Sequence, residues 1–463
     1  MIRLHESITV DRTARDCFRY LADFSTAEQW DPGVYRAEKR TPGTPEPGTE
    51  FALVLDSAGR RVPMRYRLED MEPDRLLVLQ GEGQGFGVRD RIVLEPVSSG
   101  HTRIDYEAVL DFTGPAGRVE PLLRPWLNRV GRKAVAGMAR ALTPSSVPEQ
   151  GYFSNLGHRM VLPAAWSFTE RGYLAMPDKG LSEFVDGRTW VITGPTSGLG
   201  LATACELARL GARLVLVGRD VQRLENAVDT IVAFSGCAPE DVRCFEAELS
   251  LVRECRRVAE EILGAVADID GLVNNAGALF AERAETEEGH ERSLAINLLA
   301  PAVLVESLLP SLQRNGARVI NVSSGGMYLQ PLRLDDMEYR KGEYDGAVAY
   351  ARAKRGLVAL NEYWAETVPG VDFHAMHPGW AATPGVARSL PAFNRRMGRR
   401  MRDSRMGADT IVWLATTASL KGNSGGFWFD RKPRPTAVLP GTAVTADQRN
   451  ELVAWLTSQT RQP

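Results

Sequence analysis

Cysteine is scarce in this chain, and what there is forms no pattern. Five residues, Cys17, Cys205, Cys237, Cys244 and Cys255, are scattered over 463 positions with no Cys-x-x-Cys pair. That excludes a disulfide framework and leaves reduced thiols as the expectation. The six histidines form no metal-spaced group with them, so no metal site is expected. An excess of one charge sign is missing too: 56 basic against 58 acidic residues leave a net charge of −2. Such a balance offers nucleic acid no field to follow. No stretch reaches the roughly 18 consecutive apolar residues of a membrane span. The opening MIRLHESITVDRTARD lacks the basic-then-apolar order of a secretory signal. A cytoplasmic protein, with neither nucleic-acid nor integral-membrane partners, is the expectation.

What is present is ordinary for globular protein, 44% hydrophobic and 25% charged. The length predicts two or three domains. Residues 1–143 read as a small α+β domain. Ile2, Leu4, Ile8 and Val10 share one strand face, and Thr13 is placed to cap a short helix with Phe18 and Leu21 on its apolar side. Val62, Met64, Tyr66 and Leu68 alternate with Pro63, Arg65 and Arg67, and Ile104, Tyr106 and Ala108 alternate with charged neighbours. Alternation of this kind predicts antiparallel hairpins with one wet face. Val119, Leu123, Leu127, Val130, Ala134, Met138 and Leu142 then recur at helical spacing. This order of elements, with FRYLADFSTAEQWDPGV at Phe18–Val34, resembles the polyketide-cyclase/START-like superfamily. The resemblance implies a helix-grip fold, in which a curved sheet wraps a long helix around an apolar cavity for a hydrophobic ligand. An apolar core with no ligand is the alternative. No paired acid/base set stands out, so fold analogy supplies no reaction here.

Residues 144–185 form the join. TPSSVPEQG is loop-like, and HRMVLPAAWSFTERGYLAMPDKG mixes apolar with basic residues. Pro163 and Pro177 interrupt any long helix, so this reads as a clasp packing on the next domain rather than a membrane-touching element. From residue 186 to the end, short apolar runs such as TWVITG, ARLVLVG, DGLVNNAG and ARVINVSS alternate with helical patterns. Buried strands between helices predict an α/β fold, the Rossmann-type doubly wound parallel sheet.

The first of these strands runs into Gly194-Pro195-Thr196-Ser197-Gly198-Leu199-Gly200, and a helix follows. Glycines let the backbone approach a pyrophosphate, and the helix start offers it free N–H groups. The second strand ends at Gly218-Arg219-Asp220. Gly218 stands where an acid would hold both ribose hydroxyls of NAD(H), while Arg219 can pair with a 2′-phosphate. NADP(H) is therefore the expected cofactor, and Asp220 just beyond keeps NAD(H) open. Tyr350 and Lys354 lie four apart in a helical pattern, on one face. A neighbouring ammonium is expected to lower the phenol from its usual value of about 10. Ser323-Ser324 ends a buried strand, and Asn297 lies in the helix before it.

The TGxxxGxG turn, Asn274-Asn275-Ala276-Gly277 and YxxxK together resemble the short-chain dehydrogenase/reductase family. The resemblance implies a catalytic set of Asn297, Ser324, Tyr350 and Lys354, with the second serine of the pair taken. It implies that Tyr350 protonates a carbonyl oxygen, Ser324 hydrogen-bonds it, Lys354 holds the nicotinamide ribose and Asn297 organises a proton relay. It also implies nucleotide contacts at Gly194, Thr196, Ser197, Gly198, Leu199, Gly200, Arg219, Glu248, Leu249, Asn275, Ala276, Gly277, Pro378, Gly379 and Thr383. Glu248 replaces the family's usual aspartate. The 26 positions from Ser324 to Tyr350 are long for the family and resemble its retinol-dehydrogenase-like branch. His377, before the Pro-Gly turn, reads as shaping backbone rather than as a base. Met397, Met401 and Met406, among Arg395, Arg396, Arg399, Arg400 and Arg402, read as a substrate lid for an apolar molecule with a solvated basic face. Many family members form dimers or tetramers, so a homo-oligomer stays open. The rival to an enzyme is a cofactor-gated hydrophobic-ligand carrier with a non-catalytic reductase half.

Overall fold

A computed structural model describes residues 2–57, 60–112, 120–143, 165–176, 180, 182–420 and 422–460. The chain divides into two compact units, one mainly of residues 1–146 and one mainly of 147–232 and 237–463.

The front unit holds one seven-stranded antiparallel sheet. Its strands are β1 (Ile2–Val10), β2 (Val34–Lys39), β3 (Glu50–Ser57), β4 (Arg60–Glu72), β5 (Leu76–Gly83), β6 (Phe86–Ser98) and β7 (His101–Phe112), in the order β1-β7-β6-β5-β4-β3-β2. The alternation expected from sequence sets the inner face: Met64, Tyr66 and Leu68 are buried, and so are Ile104, Tyr106 and Ala108. Helix α1 (Ala14–Ala22) starts at Thr13, whose Oγ1 accepts from the Asp16 N–H at 3.1 Å. A short α2 (Ala27–Trp30) follows. Helix α3 (Glu120–Leu142) packs on β1 and α2. Leu127, Ala134, Met138 and Leu142 are buried along it. It crosses α2 so closely that a Cβ on Gly137 would stand 1.8 Å from the Trp30 carbonyl oxygen. This is the helix-grip arrangement. Val119, the Leu123 side chain and positions 144–164 of the join lie outside the described residues.

The rear unit is built on an eight-stranded sheet. Its strands are β8 (Thr189–Thr193), β9 (Arg213–Gly218), β10 (Val242–Glu246), β11 (Gly271–Asn274), β12 (Arg318–Val322), β13 (Asp372–Met376), β14 (Phe427–Phe429) and β15 (Lys432–Pro433). The order is β10-β9-β8-β11-β12-β13-β14-β15, parallel except for the last pairing. The sheet order reverses beside β8, which places the crevice for a ligand at the carboxyl ends of β8 and β11. Helices cover both faces, so β8 is buried at every residue.

One of these helices bears on the membrane expectation. Arg292–Arg314 is long and apolar enough to cross a membrane by composition, with a mean hydropathy of 1.6 over its most apolar 18 residues. Its most apolar window is 72% buried within the protein, where Leu298, Val303, Leu304 and Leu308 join the core with Val319 and Leu357. Polar Asn297 and Glu306 break the run by eye, but the average passes the length test.

Candidate active site

The glycine turn leaves β8 and enters the helix Gly198–Arg209. Gly194 and Gly198 have φ of +65° and +58°, which side-chain-bearing residues rarely adopt. A Cβ on Gly200 would stand 2.2 Å from the Gly194 carbonyl oxygen. Ser197 occupies the N-cap without capping through its side chain, so the helix start keeps N–H groups free of a side-chain cap. Thr196 Cγ2 lies 3.6 Å from the position of a Gly218 Cβ, over the end of β9. Leu199 is turned away from the turn, toward the helix Ser404–Thr416, its Cδ2 2.5 Å from where a Gly407 Cβ would be.

Asn275 braces this turn from behind. Its Nδ2 donates to the Thr193 and Gly194 carbonyls at 2.9 and 3.2 Å, and Thr193 Oγ1 accepts from the Asn275 and Ala276 N–H groups at 3.0 and 2.9 Å. Arg219 is exposed and pairs loosely with Glu248, at 3.5 Å. The other Glu248 oxygen accepts from Ser250 Oγ at 2.8 Å. Leu249 is buried in the core with Val217 and Val252. Thr383 caps the helix Pro384–Ser389 by accepting from the Val386 N–H at 3.3 Å, and its methyl faces Gly198. Gly379 takes φ +74° in the Pro378-Gly379 turn, where a Cβ would meet Arg402 Nε at 2.7 Å. A turn closed to side chains, an uncapped helix start and an exposed arginine beyond the second strand suit a dinucleotide.

The four residues of the implied catalytic set converge beside this crevice. The Tyr350 hydroxyl faces Ser324, which acts to lower its pKa. Ser324 Oγ accepts from the Gly326 N–H at 3.2 Å. Ser323, by contrast, is buried and spends its hydroxyl on the Lys354 carbonyl at 3.2 Å. Lys354 is buried, with Nζ 5.8 Å from the Tyr350 ring centre and donating to the Val322 carbonyl at 2.8 Å. Asn297 sits in a π-helical stretch, Ala295–Leu299, which turns its amide toward the site. Its Nδ2 donates to the Ala278 and Ser293 carbonyls, and its buried Oδ1 has no partner. A Cβ on Gly277 would lie 2.6 Å from that oxygen and 3.3 Å from Lys354 Nζ, so only glycine keeps the two groups facing each other.

The electrostatics correct one expectation. The sequence predicts that Lys354 lowers Tyr350. In the folded chain burial pushes Tyr350 up to about 12, with Ser324 opposing it, and burial lowers Lys354 to about 7. Burial disfavours the charged form of each.

Residues 188–392 match the family model described as short chain dehydrogenase. Dehydrogenase/reductase SDR family member 12 of Bos taurus is 38% identical over 307 residues, 63% of this chain and 96% of that protein. The chain belongs to the short-chain dehydrogenase/reductase family. As a short-chain dehydrogenase/reductase it interconverts carbonyl and alcohol with a nicotinamide cofactor. Retinol dehydrogenase 14 of Mus musculus is 30% identical over 274 residues, 55% of this chain and 80% of that protein. The crystal structure of L-sorbose reductase from Gluconobacter frateurii, complexed with NADPH and L-sorbose, is 22% identical, with a TM-score of 0.45, and covers 54% of this chain and 97% of that one. Residues 1–143 match the model described as polyketide cyclase / dehydrase and lipid transport.

The structure adds four features to the site of this short-chain dehydrogenase/reductase. Phe168, ahead of the nucleotide fold, stands edge-on to His377, Trp380 and Phe429, and its ring reaches within 3.5 Å of where a Gly325 Cβ would be, next to Ser324. The stretch FTERGY is therefore part of the site's wall. His377 stacks on Phe429 at 4.2 Å, and burial holds it well below its ordinary value, a neutral ring that accepts from the Gly379 N–H.

Arg402 does not belong to the solvated basic face. It is 1% exposed, bidentate to Asp430 at 2.6 and 3.0 Å, and donates to the Ser167 and Thr169 carbonyls. Met401 beside it is buried as well, whereas Arg395, Arg396, Arg399 and Arg400 are exposed. Finally, Arg355 is 1% exposed and donates to the Met327, Gln330 and Thr436 carbonyls, fixing the turn that follows Ser324.

Proposed function

We propose that the rear domain reduces a carbonyl on a hydrophobic small molecule with a preference for NADP(H), and that the front domain binds a molecule of the same apolar kind. The observation that carries the reading is the meeting of Ser324, Tyr350, Lys354 and Asn297 beside the glycine turn. When bound, the dinucleotide supplies the hydride that reduces the carbonyl carbon. Gly194, Ser197, Gly198 and Gly200 would hold its pyrophosphate, Arg219 its 2′-phosphate, and Lys354 its nicotinamide ribose. The Glu248 pairing is exposed and weak, so Arg219 loses little by exchanging it for a phosphate.

Tyr350 keeps its proton at neutral pH, and a phenol in that state is a donor. It passes the proton to the carbonyl oxygen, while Ser324 hydrogen-bonds the same oxygen. Lys354 and the open acceptor of Asn297 then return a proton to Tyr350 from solvent. The aromatic wall of Phe168 and Trp380, with Phe393 against Trp380, favours an apolar substrate. Retinol, for which several relatives are named, is of that class.

A Tyr350→Phe variant tests the reading. Loss of NADPH-dependent reduction of apolar ketones and aldehydes by about 10³-fold, with NADPH binding unchanged, is expected. Undiminished turnover would instead favour a carrier whose reductase half does no chemistry.

A further inference from the structure

The sequence shows no acid/base set in the front domain, yet the fold assembles one. Asp90 on β6 points to the inner face of the sheet and is 1% exposed. Its Oδ1 accepts from the Tyr106 hydroxyl, on β7, at 2.7 Å. Its Oδ2 is buried with no hydrogen-bond partner. The Tyr66 hydroxyl, from β4, faces the same carboxyl. Asp31, just after Trp30, is close enough to act on all three through its charge, and it stays partly accessible. The arrangement needs Gly81: Tyr66 reaches across β5, and a Cβ at that glycine would lie 2.6 Å from its Cζ.

Packing alone does not call for this. Phenylalanine would fill the same volume as either tyrosine, and an apolar residue at 90 would avoid burying a carboxyl. Burial pushes Asp90 and Asp31 each up to about 6, a measure of what their charge costs there. Asp90 Oδ2 makes no hydrogen bond of good geometry, with the Tyr66 hydroxyl as the donor beside it, on a face otherwise made of Phe51, Leu79 and Ile92 with Phe24 packed against Tyr66. A hydroxyl on an apolar body would complete it, giving a donor to Asp90 and an oxygen to Tyr66.

We propose that the front domain binds a hydroxyl-bearing apolar molecule, with Asp90 Oδ2 accepting the hydrogen bond of its hydroxyl and Tyr66 donating to the hydroxyl oxygen. The proposal rests on the reading that this domain holds an apolar ligand, and it specifies which one. Of the two species the rear domain interconverts, the alcohol has a donor to give Asp90 and the ketone has none. The front domain thus selects the alcohol.

The test uses the full chain without nucleotide at pH 7.5, with 2-tetradecanol and 2-tetradecanone as probes in equilibrium dialysis. The alcohol is expected to bind about tenfold tighter than the ketone, as a charge-assisted hydrogen bond would give. Asp90→Asn should abolish the preference, and Tyr350→Phe should leave it intact. Tyr66→Phe should weaken both probes at least threefold and keep their ratio, because each loses one donor. Equal binding of the two probes by the unaltered protein overturns the proposal and leaves the apolar-ligand reading standing. So does a preference that survives in Asp90→Asn. Binding of neither probe overturns both. Should Asp90→Asn fail to fold, the unaltered protein and Tyr66→Phe decide the matter.

Discussion

The Tyr350 and Tyr66 sites each bury a phenol against an ionisable partner, and they differ in how the chain brings them together. Tyr350 and Lys354 share one helix, Gly346–Thr367, and one turn. Tyr66, Asp90 and Tyr106 come from three strands and meet only because the sheet's inner face gathers alternate residues. In the first, four residues of sequence fix the spacing. In the second, nothing fixes it short of the whole register. Burial nonetheless acts on both in the same direction, disfavouring charge at Tyr350, Lys354, Asp90 and Asp31 alike. A buried ionisable group is a cost to the fold wherever it sits, and its presence asks for a use.

The sharpest way to break the comparison is to remove the cation from the helical site. Lys354→Met should lower kcat/KM for ketone reduction by about 10²–10³-fold without lowering thermal stability, because burial that depresses the ammonium to about 7 makes its charge a cost to the fold at neutral pH. Kinetics with thermal melts check both halves, and a large loss of Tm would show a structural lysine instead.

A buried pair with no chemistry should behave in the opposite way. Arg402→Met leaves Asp430 sealed and uncompensated, and should cost about 3–5 kcal/mol in denaturant unfolding.

Asp90 sharpens the contrast through pH. Its folded value of about 6 lies above its ordinary 3.8, so protonation favours the folded state. The stability it contributes is fully present below about pH 4 and is lost as pH rises through about 6. Asp90→Asn should flatten that decline and melt higher than the unaltered protein at pH 7.5, by an amount on the order of 1–2 kcal/mol. A lower melting point would mean that the carboxyl serves only the fold. The smallest effect is expected at the exposed Arg219: Arg219→Ala should raise KM for NADPH about tenfold and leave KM for NADH within twofold.

What was legible in the sequence follows the same division. The glycine turn and the Tyr350–Lys354 spacing are local, and so is the alternation that forecast β4 and β7. Tyr66 and Tyr106 were counted on the apolar side of that alternation, correctly for their rings and blindly for their hydroxyls. Asp90 interrupts a strand that otherwise buries Val88, Ile92 and Leu94, and a single interruption carries no signal until its neighbours across the sheet are known. Arg402 was hidden by its company, since four exposed arginines precede it within seven residues. Phe168 lies more than 150 residues before Ser324, and only tertiary contact joins them. The direction expected for Tyr350 was misjudged because spacing reports proximity and says nothing of hydration.

The guanidinium next in line after Lys354 has a bearing on how such a pocket changes over time. Arg355 ties the backbone at Met327, Gln330 and Thr436 to the same turn of helix that carries the proton donor. The long stretch between Ser324 and Tyr350 is thereby anchored at its near end, and Glu338, Tyr339 and Tyr344 tie it again farther on to His290, Arg283 and Glu291. Insertions and substitutions at the exposed positions between these ties can vary the stretch without disturbing where the hydroxyls stand, so its outer part is free to change without rebuilding the chemistry.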